Sequence, residues 1–154
     1  MHEHPLVGGI EAGGTKIVCA AGTGPGDLSR AVFPSGSDPA AALFAVTDWF
    51  REEETRRGPL HAIGIGSFGP VDLDPASPTY GFITSTPKTG WRNTDILGTV
   101  RRAFPALPVA FDTDVNAAAL GEQRWGAAAG LDDFVYITIG TGIGAGVMAG
   151  GRLV

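Results

Sequence analysis

The sequence predicts an α/β fold. Three short apolar runs open the chain (6–12, 15–21 and 27–33), separated by Gly-rich turns too short for a crossover, so they pair as an antiparallel meander. Beyond residue 36 strands alternate with helical patterns. Two turns of one character, Gly13-Gly14-Thr15-Lys16 and Gly140-Thr141-Gly142, sit at the tips of hairpins near opposite ends of the chain. Glycine lets a phosphate approach bare backbone, and successive N–H groups in such a turn form an anion-binding nest. Either turn alone is equally an ordinary hairpin tip.

At 154 residues the chain is long enough for one domain with a sizeable core, and 44% apolar residues place it among globular proteins. A net charge of −5 with scattered basic residues argues against nucleic-acid binding. The single cysteine, Cys19, excludes an internal disulfide. Neither a signal peptide nor a membrane-length apolar window is present, and a cytoplasmic protein is the expectation. Most of the 24 glycines fall at turns bounding apolar runs.

Ser37-Asp38-Pro39 supplies an N-cap followed by proline at the first helical position. Ala42, Leu43, Val46, Trp49 and Phe50 then recur at helical spacing as far as Arg57, with Glu52-Glu53-Glu54 expected on the solvated face. The next strand, 60–66, runs into Ser67-Phe68-Gly69-Pro70-Val71-Asp72. Gly64, Gly66 and Gly69 spell the dinucleotide fingerprint GxGxxG, which is rejected because Pro70 stands where a helix should open. A long irregular loop over 72–93 is expected to bind something. Its stretch Thr84-Ser85-Thr86-Pro87-Lys88-Thr89-Gly90-Trp91 offers hydroxyls, an ammonium and an indole, which suits a polyhydroxylated ligand; Trp91 packed as a lid is the alternative.

A helix capped by Asn93 is expected to reach Phe104, followed by a strand at 109–111. That strand ends in Asp112-Thr113-Asp114, and a helix continues through three alanines to about Gly126, small enough on one side for close packing. An aspartate there is either an N-cap or a carboxylate aimed into the crevice where α/β proteins bind ligands. Two carboxylates two residues apart leave at least one unexplained as a cap. A further strand at 132–139, its antiparallel return at 144–149 and the opening of another turn complete the chain.

The two Gly-Thr hairpins, their spacing, and the Asp before Asn116-Ala117-Ala118-Ala119-Leu120-Gly121-Glu122 resemble the ROK family of bacterial sugar kinases and related repressors. The stretches 9–16, 63–72 and 86–91 are similar to its fructokinase subgroup. The resemblance implies an actin-like ATPase with ribonuclease H-like halves and a mixed sheet. Residues 1–126 would be the N-terminal domain, on the sugar and phosphate side, and 127–154 the truncated start of the second, nucleotide-binding domain. It implies ATP and Mg²⁺ as cofactors, a structural zinc only in the missing half, and a homodimer acting on a small-molecule sugar with no nucleic-acid or membrane partner.

Carried over residue by residue, Asp114 would be the general base and a sugar contact. Gly13, Gly14, Thr15 and Lys16 would face the phosphates from one side and Gly140, Thr141 and Gly142 from the other. Gly69, Pro70, Thr86 and Lys88 are the sugar-side candidates, and Glu11 stands where such ATPases hold Mg²⁺. Asp112 and Thr113 depart from the Glu and Asn of many relatives, and no amide contact to the sugar is transferred. The activity implied is phosphorylation of fructose to fructose 6-phosphate by the full-length protein, with glucose, mannose or an amino sugar as alternatives and this chain an inactive fragment. A noncatalytic sugar-sensing protein is the rival from another class; the repressors' helix-turn-helix does not precede the first strand.

Overall fold

The computed structural model describes residues 4–140 and 142–154. The meander forms as expected: β1 (Val7–Ala12), β2 (Lys16–Gly22) and β3 (Leu28–Pro34) pair antiparallel in sequence order. β4 (Ala62–Ser67) lies parallel to β1, and β7 (Val109–Thr113) parallel to β4, giving a mixed five-stranded sheet ordered β3-β2-β1-β4-β7.

Side chains alternate between the faces of this sheet. Ile10, Ala12, Ile17, Cys19, Ile63 and Ile65 are buried on one face under α1 (Pro39–Arg57) and α2 (Ile96–Ala103). A side chain at Gly8 would stand 2.8 Å from the Phe50 ring, so α1 rests directly on β1. The opposite face belongs to α3 (Asp114–Trp125): a Cβ at Gly66 would meet the Ala117 Cβ at 2.6 Å. α3 also supports a second sheet of β8 (Phe134–Ile139), β9 (Ile143–Ala149) and β10 (Arg152–Leu153), in the order β10-β9-β8. Here Gly146 would place a Cβ 2.4 Å from the Val115 carbonyl oxygen and 3.0 Å from the Ala119 Cβ. The alanine side of α3 is thus wedged between glycines of two sheets.

α1 is capped as its sequence indicates, Asp38 Oδ1 accepting from Ala41 N at 3.1 Å with Pro39 opening the helix. Three expectations need correction. Glu53 is not solvated but 3% exposed, held by the Arg56 guanidinium. The cap of α2 is Asp95, which accepts from Gly98 N at 2.7 Å, whereas Asn93 adopts the left-handed region at φ 54°. The 72–93 stretch is less irregular than its composition suggests. It contains β5 (Phe82–Ile83), which pairs with β6 (Thr94–Asp95), and a short 3₁₀ turn, Thr89–Trp91. The Asp72 carboxylate accepts from the hydroxyls of Ser77 and Thr79 at 2.5 and 2.6 Å, so those hydroxyls organise the loop. Where GxGxxG would require a helix after β4, Val71 instead bridges to Ile83.

Candidate active site

Parallel pairing brings the ends of β1, β4 and β7 to one edge, with Ala12, Ser67 and Thr113 in register. The Gly13–Lys16 turn, the Gly69-Pro70 segment and Asp114 each follow one of these strand ends. In open α/β sheets the carboxyl edge of the strands is where ligands bind. One residue earlier, Glu11, Gly66 and Asp112 share a row on the α3 face. With no side chain at Gly66, the two carboxylates flank bare backbone. A groove of about 1010 Å³ crosses this face and includes Glu11, Gly66 and Asp112 in its lining, whereas the turn and Asp114 lie outside that lining.

At the β1–β2 turn, Gly13 N donates to Lys16 O at 2.9 Å, and Thr15 O accepts from Ser35 N at 3.1 Å. The Gly14 carbonyl accepts from Ser35 Oγ at 3.0 Å and from Lys88 Nζ. The N–H groups of Gly14 and Thr15 have no acceptor among the described residues, and Gly14, Thr15 and Lys16 are exposed. Free, adjacent N–H donors on an exposed turn are what an anion nest requires. The Lys16 ammonium pairs with no carboxylate among the described residues.

At the β7–α3 junction the cap is neither aspartate. Thr113 Oγ1 accepts from Asn116 N at 3.1 Å, which releases both carboxylates from capping. Asp112 Oδ1 accepts from Asn116 Nδ2 and from Thr113 N, each at 2.7 Å, and is thereby fixed in place. Asp114 Oδ1 accepts from Val115 N at 2.9 Å, and no cation pairs with the carboxylate among the described residues. Burial pushes the Asp114 carboxyl above its ordinary value, against the lowering effect of the Val115 N–H and of its own N–H. A half-buried carboxylate lacking a cation is a stronger proton acceptor than a solvated one.

The sugar-side candidates divide. Gly69 and Pro70 are exposed beside the strand ends, joined by a cis peptide bond. Thr86 is 1% exposed, its hydroxyl turned inward to accept from Lys88 N at 3.3 Å. Lys88 reaches the underside of the β1–β2 turn, donating to Gly14 O and Ser35 Oγ. Trp91 is fully buried, with Nε1 donating to Ser35 O and Gly36 O and the ring edge-on to Phe68, so it is a packed lid with no face open to a ligand. Sequence reasoning missed Ser35, a fully buried serine just past β3 that touches the turn through both backbone and side chain. Nothing in the local pattern singles it out.

At the β8–β9 turn Gly140 N donates to Gly142 O at 2.9 Å and both glycines are exposed, while Thr141 lies outside the described residues. Glu11 is exposed at the end of β1. Mg²⁺ in phosphoryl-transfer sites is held by one or two carboxylates together with the substrate phosphates, and an exposed glutamate in one row with Asp112, beside a turn with free N–H donors, fits that pattern. No helix among the described residues is long and apolar enough to cross a membrane.

A mixed sheet with a glycine turn between its first two strands and an aspartate at the start of a strand-end helix defines an actin-like ATPase fold of the sugar-kinase type. The chain belongs to the ROK family, whose description matches residues 7–154. A fructokinase-named protein of Bacillus subtilis (strain 168) is 54% identical over 149 residues, covering 96% of this chain and 48% of its own length. The fructokinase of Pediococcus pentosaceus is 46% identical over 144 residues, covering 94% and 48%. Among solved structures, a ROK family glucokinase from Streptomyces griseus in complex with glucose and AMPPNP superposes with a TM-score of 0.80 at 31% identity, over 97% of this chain and 46% of that one. The chain therefore spans about half the length of the relatives it matches.

Proposed function

We propose that the full-length protein phosphorylates a hexose from ATP, with fructose to fructose 6-phosphate as the reaction. The observation that carries this is Asp114. Its carboxylate is neither a cap nor an ion-pair partner, and it stands at the same strand edge as a turn with two free N–H donors. The fructokinase names of two relatives support fructose as the sugar.

In the reaction, a sugar hydroxyl oxygen forms a bond to the γ-phosphorus while the bond to the ADP oxygen breaks, and Asp114 takes the hydroxyl proton. The Gly14 and Thr15 N–H groups and the Lys16 ammonium bind the phosphate oxygens and hold their charge as it shifts toward ADP. Gly140, Thr141 and Gly142 grip the nucleotide from the other side, so that closure excludes water from the transfer. Gly69 and Pro70 present backbone to the sugar. Mg²⁺ held near Glu11 supplies further charge neutralisation when bound. In this reading residues 1–126 are the sugar and phosphate domain, and 127–154 begin the nucleotide domain. The adenosine contacts and a structural zinc belong to the part of the homodimeric, cytoplasmic full-length protein that this chain does not span.

The test is phosphorylation by the full-length protein across fructose, glucose, mannose and amino sugars, compared by kcat/KM. Fructose should be preferred, and Asp114→Asn should lower kcat by about 10² to 10⁴ while sugar binding persists. A variant within a few-fold of wild type would remove Asp114 from the role of base, and absence of turnover on every sugar would leave a noncatalytic sugar-sensing protein.

A further inference from the structure

We propose that Lys88 is a positioning residue for the phosphate cradle and not a sugar ligand. With Ser35 it pins the Gly14–Thr15 peptide so that the turn presents its N–H groups to the terminal phosphates of a nucleoside triphosphate. The inference rests on reading that turn as a phosphate cradle.

The underside of the turn is held by a knot of four hydrogen bonds. Ser35 Oγ donates to Gly14 O at 3.0 Å, Ser35 N donates to Thr15 O at 3.1 Å, and Lys88 Nζ donates to both Gly14 O and Ser35 Oγ. The ammonium also stands 5.8 Å from the centroid of the Trp91 ring, whose Nε1 locks the Ser35 and Gly36 carbonyls at 3.1 Å each. The 88–91 segment cannot slide away independently: a Cβ at Gly90 would lie 2.0 Å from the Ser37 carbonyl oxygen, so the two backbones are in direct contact.

Two consequences follow for a ligand. A trans peptide sets its C=O and N–H on opposite sides, so holding the Gly14 carbonyl against Ser35 and Lys88 turns the Thr15 N–H away from them, toward the exposed side of the turn. A cation on the carbonyl also polarises the peptide and strengthens that N–H as a donor. The charge itself is uncompensated, because no carboxylate lies within 4.0 Å of Lys88 among the described residues and its acceptors are a carbonyl and a hydroxyl. A half-buried ammonium with neutral partners directly behind an anion-binding turn favours a polyphosphate. It has no corresponding reason to favour a neutral sugar.

The experiment uses the full-length protein and Lys88→Met, with KM for ATP, the sugar dissociation constant without nucleotide, and binding of inorganic tripolyphosphate by calorimetry. Loss of a charge-assisted bond is worth about tenfold or more. KM for ATP should rise and tripolyphosphate binding weaken by about that factor, while sugar affinity stays within about twofold. Ser35→Ala should reproduce the pattern, and the double variant should fall short of the product of the two effects because both act through one carbonyl. If Lys88→Met fails to fold, Ser35→Ala decides by the same three measurements. Weaker sugar binding with unchanged KM for ATP, or no change in either, overturns the proposal. Should wild type phosphorylate no sugar, the kinase reading fails while the tripolyphosphate measurement still decides the role of Lys88. Failure of wild type to bind tripolyphosphate overturns the proposal as well.

Discussion

The chemistry of Asp114 turns on how little surrounds it. Burial raises its carboxyl, and the N–H groups of Val115 and of Asp114 itself do not reverse the shift. If Asp114 is the base proposed above it must be ionised to act, so kcat/KM of the full-length protein for its sugar should fall as pH falls, with a midpoint above the ordinary aspartate value of about 3.9. The same shift bears on stability. A folded-state pKa above the unfolded one means that the native chain holds the proton more tightly, so the charged form destabilises the fold above the folded pKa. That penalty is relieved as pH falls through it toward the unfolded value. Asp114→Asn should therefore raise the melting temperature at pH 7, with a gain that shrinks toward pH 4, while activity is lost. A lower melting temperature at pH 7 would mean that the carboxylate has a stabilising partner that these contacts do not reveal.

α3 shows how an element aims a residue. Its position is set by near-contacts with glycines: Gly66 of β4 beneath Ala117, and Gly144 and Gly146 of β9 against Val115. A methyl at Gly146 meets a backbone carbonyl, which no rotamer change relieves, so Gly146→Ala should cost about 1–3 kcal/mol in denaturant unfolding. It should also lower kcat of the full-length enzyme, because Asp114 opens the displaced helix. Unchanged stability would show that the second sheet yields without cost. The close-packing alanines of α3 were legible in the sequence, as were the meander, the Asp38–Pro39 helix start and the two glycine turns, because each depends on neighbours in the chain. What was not legible depends on distant partners. Thr113 displaces both aspartates as the cap. Glu53 leaves solvent for the Arg56 guanidinium against the sheet edge, where its Oε2 has no partner among the described residues. Lys88 crosses from a loop expected to hold sugar to the turn expected to hold phosphate, because the 88–91 backbone seats on Ser37. Periodicity carries no record of such contacts.

At the scale of the whole molecule, the two sheets differ in how much of their apolar surface is covered. The five-stranded sheet buries one face under α1 and α2 and rests part of the other on α3. The β8–β9 ribbon keeps only one side against α3, and Val135, Ile137, Ile139 and Ile143 are 54%, 58%, 79% and 80% exposed. Val135, Ile137 and Ile139 share one face of β8 and Ile143 of β9 stands opposite Ile139, so the four form an apolar strip, and among the described residues no strand pairs with the outer edge of β8. Such a surface favours pairing with any second strip of the same kind, and another copy of the chain supplies one. Purified residues 1–154 should therefore sediment as a concentration-dependent mixture of monomer and larger species. Replacing Ile137 and Ile139 by Thr and Lys should shift that mixture toward monomer without altering the melting of the first sheet. The same preparation should show no sugar phosphorylation, since the β8–β9 turn it would need as the second grip on the nucleotide is borne on this exposed ribbon. A monomer at every concentration would show that the strip is too small to associate, and turnover by residues 1–154 would show that the β1–β2 cradle and Asp114 suffice for transfer.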